Sequence, residues 1–228
     1  MALAYDKMTG DLTWKSMEGK AGYAAVVTIR AGGADKLLIF GGTQFACLEP
    51  DSGREIWSVP WKTDHDVNAA TPVSSGSTLL ITSGYNTGSE AFRVEDVKVE
   101  SLWRGRSLAC HHSDPVIVDG HIYGYTGQSD VEEGLFMCVE LKGGEEKWST
   151  DELAWGTVVY VDGHLLYMDI EGNLLLIRPN PDRFEKVSEL EYALGDSGGN
   201  VCTKPIVANG RMYLRHAHRL LCYDLMPR

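Results

Sequence analysis

The chain has 228 residues, of which 21 are Lys or Arg and 32 are Asp or Glu, for a formal net charge of −11. That balance argues against the basic stripe that a phosphate backbone or an anionic bilayer would need, so no nucleic-acid partner is expected. Hydrophobic residues make up 43% and charged residues 23% of the chain, a globular composition, and no apolar run reaches the roughly 18 residues of a transmembrane segment.

In chain order, the first pattern is Asp6-Lys7-Met8-Thr9-Gly10-Asp11-Leu12-Thr13-Trp14, an acid, two residues, a small residue, Gly, three residues and Trp. It returns as Glu49-Pro50-Asp51-Ser52-Gly53-Arg54-Glu55-Ile56-Trp57 and as Glu140-Leu141-Lys142-Gly143-Gly144-Glu145-Glu146-Lys147-Trp148. A degenerate copy ends at Trp103, so the tryptophans recur about every 45 residues. A second pattern interleaves with it: Thr71-Pro72-Val73 before Gly76, Asp114-Pro115-Val116 before Asp119-Gly120, and Lys204-Pro205-Ile206 before Asn209-Gly210. Asp162-Gly163 marks a copy without the proline. Apolar runs follow each turn at 78–82, 121–125, 164–168 and 211–214, the pattern of strands.

Each period therefore predicts four antiparallel strands, and four strands per 40 to 50 residues predict an all-β propeller built from blades. About five blades are visible, near residues 21–60, 67–104, 112–149, 154–191 and 201–225, in a single domain over 1–228. Residues 2–16 read as the last two strands of a preceding blade, and the last blade offers three strands at 201–208, 210–215 and 218–225. Pairing 11–16 beside 220–224 would close a five-bladed ring, yet Leu3 to Asp6 competes for the same place. The expectation is an incomplete ring from a longer propeller, with open blade edges that invite self-association.

The repeated turns and tryptophans resemble the pyrroloquinoline-quinone-like (PQQ-like) propeller repeat, with Ala4 to Trp14 and Cys47 to Trp57 similar to its tryptophan-docking motif. That superfamily includes quinoprotein alcohol dehydrogenases and the outer-membrane assembly lipoprotein, and the chain is most similar to exported bacterial PQQ-like repeat proteins of unassigned function. The resemblance implies a periplasmic or secreted protein, although Met1 to Asp6 carries neither the basic nor the apolar region of a signal peptide. For the dehydrogenase branch it implies PQQ with Ca²⁺ as cofactor, held against a vicinal Cys-Cys pair. The five cysteines here (Cys47, Cys110, Cys138, Cys202 and Cys222) contain no such pair.

Trp14, Trp57, Trp103 and Trp148 are expected to be structural, one per blade on the outermost strand, where an indole seals neighbouring sheets. Cys47, Cys138 and Cys222 sit two residues before the blade-end acid, where Ala4 sits in the first copy, and are expected to be small buried groups. The loops from one blade's Trp into the next blade collect the polar residues that a propeller presents at its channel mouth: Asp64, His65, Asp66, Asn68, His111, His112, Trp155 and Asn200. Their imidazoles and oxygens suit a polar ligand, with no recognised metal spacing. Glu132-Glu133 and Glu145-Glu146 read as solvated turns. Three functions stay open: a noncatalytic scaffold binding a protein segment or small ligand at the channel mouth, a PQQ-dependent dehydrogenase, and a metal-assisted enzyme at the same loops.

Overall fold

The structure, a computed structural model, describes residues 2–127, 134–195 and 201–226. Every element is a β-strand paired antiparallel with its sequence neighbour. Among the described residues no helix is long and apolar enough to cross a membrane. The chain divides into two compact units, 1–111 and 112–228.

Unit 1 opens with a two-stranded sheet, β1 (Ala2–Tyr5) and β2 (Leu12–Ser16). Two four-stranded sheets follow: β3 (Val27–Ala31), β4 (Ala34–Phe40), β5 (Gln44–Leu48) and β6 (Glu55–Pro60), then β7 (Val73–Ser75), β8 (Thr78–Ser83), β9 (Gly88–Glu95) and β10 (Lys98–Gly105). Unit 2 holds β11 (Val116–Val118), β12 (His121–Thr126), β13 (Leu135–Glu140) and β14 (Glu146–Thr150) in one sheet. Its second sheet is β15 (Gly156–Val161), β16 (His164–Asp169), β17 (Leu174–Ile177) and β18 (Lys186–Leu190). A three-stranded sheet ends it, β19 (Ile206–Ala208), β20 (Arg211–His216) and β21 (Arg219–Asp224). These four-stranded meanders are the blades of an all-β propeller.

Local turn chemistry sets the meanders. At the first hairpin of three sheets, Asp119, Asp162 and Asn209 have φ of 47°, 46° and 52° and are followed by Gly120, Gly163 and Gly210, also at positive φ. Two successive left-handed residues make the turn whose twist matches a hairpin, and Asp, Asn and Gly tolerate that conformation best. At the third turn the acid repeat closes on its own backbone, with Gly10, Gly53 and Gly144 donating N–H to the carbonyls of Asp6, Glu49 and Glu140. The Asp6 carboxylate also accepts the Met8 and Thr9 N–H groups at 2.8 and 2.9 Å, which holds its pKa below the usual range.

Packing between sheets follows from strands buried on both faces. In unit 1, Leu38, Phe40, Phe45, Cys47 and Trp57 of one blade join Leu79, Ile81, Phe92 and Val94 of the next in one core. In unit 2, Tyr123, Tyr125, Phe136 and Cys138 pack with Leu165, Tyr167, Leu175 and Ile177. The repeat tryptophans stand opposite small residues on the neighbouring strand: Trp14 opposite Ala4, Trp57 opposite Cys47, Trp103 opposite Ala91 and Trp148 opposite Cys138. Trp14 donates its Nε1 proton to the Pro50 carbonyl at 2.8 Å, and Trp148 does the same to Asn180. The Trp14 ring lies where a Cβ on Gly53 would stand 2.5 Å away, so only Gly fits there.

The cysteines divide by burial. Cys47 and Cys138 have no exposed surface, and desolvation pushes each thiol up to about 11. Cys110 is also buried, whereas Cys202 and Cys222 are exposed. Cys222 departs from the sequence expectation because β21 is the outermost strand described in its sheet, with no tryptophan-bearing strand laid beside it. A thiol-specific disulfide reagent at pH 8 should therefore label two cysteines rapidly and the other three only on unfolding. Five rapid equivalents from the folded protein would contradict this packing.

Candidate functional site

The connection 61–72, the turn 84–87 and the connection 106–115 meet the β7 to β10 sheet at one end, because β8 and β10, each antiparallel to β9 between them, both finish there and β7 and β9 begin there. The turn is strained. Thr87 N–H reaches the Gly84 carbonyl at 3.1 Å, with Tyr85 and Asn86 between them at φ of 54° and 55°. A left-handed tyrosine costs about 1 to 3 kcal/mol and persists only where its surroundings hold it. Here the ring is held edge to face between two imidazoles, 5.0 Å from His65 and 4.8 Å from His111. His111 is buried, and Gly84 makes room for it, since a Cβ at Gly84 would stand 2.7 Å from the imidazole.

Beside this stack lies a cleft of about 570 Å³ lined by Lys62, Asp64, Tyr85 to Thr87, Arg104, Gly105 and Arg106. Three cationic side chains in one cleft are notable in a chain of net charge −11. Arg104 is fixed from two sides. Its guanidinium carbon lies 4.3 Å from the centroid of the Trp61 ring, and its Nη1 lies 3.6 Å from the carboxylate of Glu90, its cross-strand partner. A guanidinium held over an indole offers its remaining N–H groups to a carboxylate with little ordering left to lose.

Beneath the cleft runs a buried polar relay. Trp61 donates its Nε1 proton to Ser83 Oγ at 2.9 Å, and Ser83 donates to Asn68 Oδ1 at 2.7 Å. Asn68 in turn donates from Nδ2 to the carbonyls of Gly41 and Gly42 at 2.8 and 3.1 Å. Its own carbonyl accepts from Tyr23 and Ala24. These contacts tie the 61–72 connection to the ends of β4 and β8 and to the segment that leads into β3.

The residues singled out from the sequence thus separate. Asp64, His65 and His111 gather around Tyr85 and the cleft. Asp66 turns away at φ 55° to pair with Lys20 at 2.7 Å, and that hydrogen bond holds its carboxyl below the usual range. Asn68 is fully buried and spends its amide on the backbone, so it positions the loop and is out of a ligand's reach. In unit 2, His112 is exposed, and Trp155 is 4% exposed inside a hydrophobic core with Tyr123, Phe136 and Tyr167. Asn200 and Glu132-Glu133 lie outside the described residues. Tyr85, Arg104 and Arg106 join the site without belonging to any motif of the repeat. The signal for the arginines was Arg104-Gly105-Arg106 itself, a basic pair in an acidic chain.

Among the described residues the donor set does not fit PQQ with Ca²⁺. Among the described residues no three His, Cys, Asp or Glu side chains gather closely enough to hold a cation, and the cysteines are single thiols on separate segments.

Comparison with solved structures places the fold beside BamB from Moraxella catarrhalis, with a TM-score of 0.72 and 13% identity over 96% of this chain and 65% of that one. A europium-containing methanol dehydrogenase superposes with a TM-score of 0.61 and 9% identity over 90% of this chain and 49% of that one. The chain thus spans less than two thirds of either structure, and at these identities the likeness is one of fold. No curated protein sequence matches. The family profile described as outer membrane protein assembly factor BamB matches residues 2–150, more than half of the chain, and the chain belongs to that family of PQQ-like propellers.

Proposed function

We propose that the chain is a protein-binding scaffold that takes a carboxylate-bearing segment of a partner in the cleft of Lys62, Tyr85, Arg104 and Arg106. The observation that carries the reading is Arg104, stacked on Trp61 and steadied by Glu90 beside two further cations. Glutamate and aspartate side chains, or a C-terminal carboxylate, are the groups such a site recognises. The family's description as an assembly factor for outer membrane proteins supports a scaffold role in the periplasm.

A test uses acetyl-Asp-Glu-Asp-Glu-amide as the probe, with its Lys counterpart as control, at low and physiological salt. The double variant Lys62→Gln and Arg106→Gln leaves Arg104 on Trp61 and should keep the melting temperature within a few degrees. Its affinity for the acidic peptide should fall about tenfold or more, as expected for losing one or two charge-assisted contacts. Equal affinity in wild type and variant, or equal binding of the Lys peptide, would overturn the assignment.

A further inference from the structure

The tryptophan register breaks in the second sheet of unit 2. There the bulge falls in its usual place, between Leu176 and Ile177, and the residue opposite Leu176 is Ser188. In the other four-stranded sheets and in β1–β2 that position is Trp14, Trp57, Trp103 or Trp148. Leu176 in turn replaces the Ala or Cys that faces the indole elsewhere. The exchange fills only part of the vacated volume. A groove of about 490 Å³ opens between the last two sheets, walled by Leu166, Leu174, Leu176, Val207 and Met212, with Ser188 in its lining.

Its polar partner is also in place. Trp14 donates to Pro50, the residue after the blade-end acid Glu49. The corresponding residue of the last sheet is Leu225, after Asp224, and Leu225 lines the groove. Its N–H bonds to the Gly210 carbonyl at 2.8 Å, as the N–H of Leu141 bonds to Gly120, so Leu225 is tied to its sheet's first hairpin as Leu141 is. The groove therefore continues an interblade seam that the protein fills with indole rings in its other blades.

Charge indicates what carries the ring. Unit 2 holds 19 of the acidic residues and 10 of the basic ones, and Asp162 stands on the groove's rim, opposite Glu189, whose carboxylate is already paired with Lys186 at 2.7 Å. We infer that the groove is a binding site for an indole ring, a tryptophan side chain presented by a basic extended segment of a partner protein. The ring lies in the seam, its N–H on the Leu225 carbonyl, and the flanking Lys or Arg faces Asp162 in the surplus negative charge of the unit. This surface is separate from the cationic cleft, which asks for the opposite charge.

The test follows acetyl-Arg-fluorotryptophan-Arg-amide by fluorine NMR as the full chain is added, beside the same peptide with Leu in place of Trp and beside free indole. Wild-type protein should shift and broaden the fluorine signal, weakly at high salt, and the Leu peptide should compete at least tenfold less well. The double variant Ser188→Trp and Leu176→Cys restores the sister pair. It should raise the melting temperature by a few degrees and abolish binding. Val207→Gln, a milder change in the groove wall, should weaken binding about tenfold. Four results would overturn the inference: no shift at millimolar protein, unchanged binding by both variants, equal competition by the Leu peptide, or binding of free indole but not of the peptide.

Discussion

Replacing Trp61 by Ala is expected to lower the melting temperature by roughly 10 °C and to weaken acidic-peptide binding at the same time. The indole is 1% exposed and meets Phe40 edge on at 6.1 Å. Removing a buried Trp costs about 3 to 5 kcal/mol, and for a chain of this size each kcal/mol lowers melting by about 2 to 4 °C. The same deletion removes the surface on which Arg104 lies, so the guanidinium regains rotamers that binding must freeze again. Trp61→Phe separates the two roles. It keeps most of the packing and a ring beneath Arg104, and loses only the N–H to Ser83, a cost of about 1 to 2 kcal/mol. Thermal unfolding and peptide titration of both variants check this. A Trp61→Ala protein that melts within 2 °C of wild type would mean that the indole does not seal the blade.

What could be read from the sequence was what is encoded locally. Asp-Gly and Asn-Gly turns, the acid-to-Gly closure and the alternation after each turn are written within nine residues, and the all-β propeller follows from their repetition. The candidate site is less local. Asn68 lies 15 residues from Ser83 and 27 from Gly41, so its use as a buried clamp depends on two sheets coming together. His65 and Asp66 are adjacent in sequence and serve different partners, because the left-handed backbone at Asp66 turns its carboxylate to Lys20 while His65 reaches Tyr85. Tyr85 looked like an ordinary turn residue, and only its conformation shows the turn holding an aromatic ring in a strained place. Trp155 was a loop residue by position, yet it enters the core of unit 2 because its large apolar surface outweighs the polarity of the flanking segment.

The second large effect is expected at Asn68. Asn68→Ala leaves the carbonyls of Gly41 and Gly42 without their donor and Ser83 without its acceptor, all in a place with no exposed surface. At about 1 to 3 kcal/mol for each buried group left unpaired, the loss is roughly 4 to 6 kcal/mol, a fall in melting temperature of well over 8 °C. Asn68→Asp keeps the shape and changes the chemistry. The oxygen that replaces Nδ2 faces two carbonyl oxygens, so the buried carboxyl favours its protonated form, which can donate to one of them. Its pKa in the folded chain then lies above the unfolded value of about 3.9. A raised pKa gives stability that is fully present below the unfolded value and is lost as the pH rises through the folded one. Asn68→Asp should therefore melt at a higher temperature at pH 5 than at pH 8, relative to wild type at each pH, whereas Asn68→Ala should show no such slope. A flat profile for Asn68→Asp would place the residue in contact with solvent. Because Ser83 joins Asn68 to Trp61, the double variant Asn68→Ala and Trp61→Phe should lose less than the sum of the two single losses. With Asn68 gone, the Ser83 hydroxyl no longer has both bonds to lose, so a strictly additive pair would show that the relay does not act as a unit.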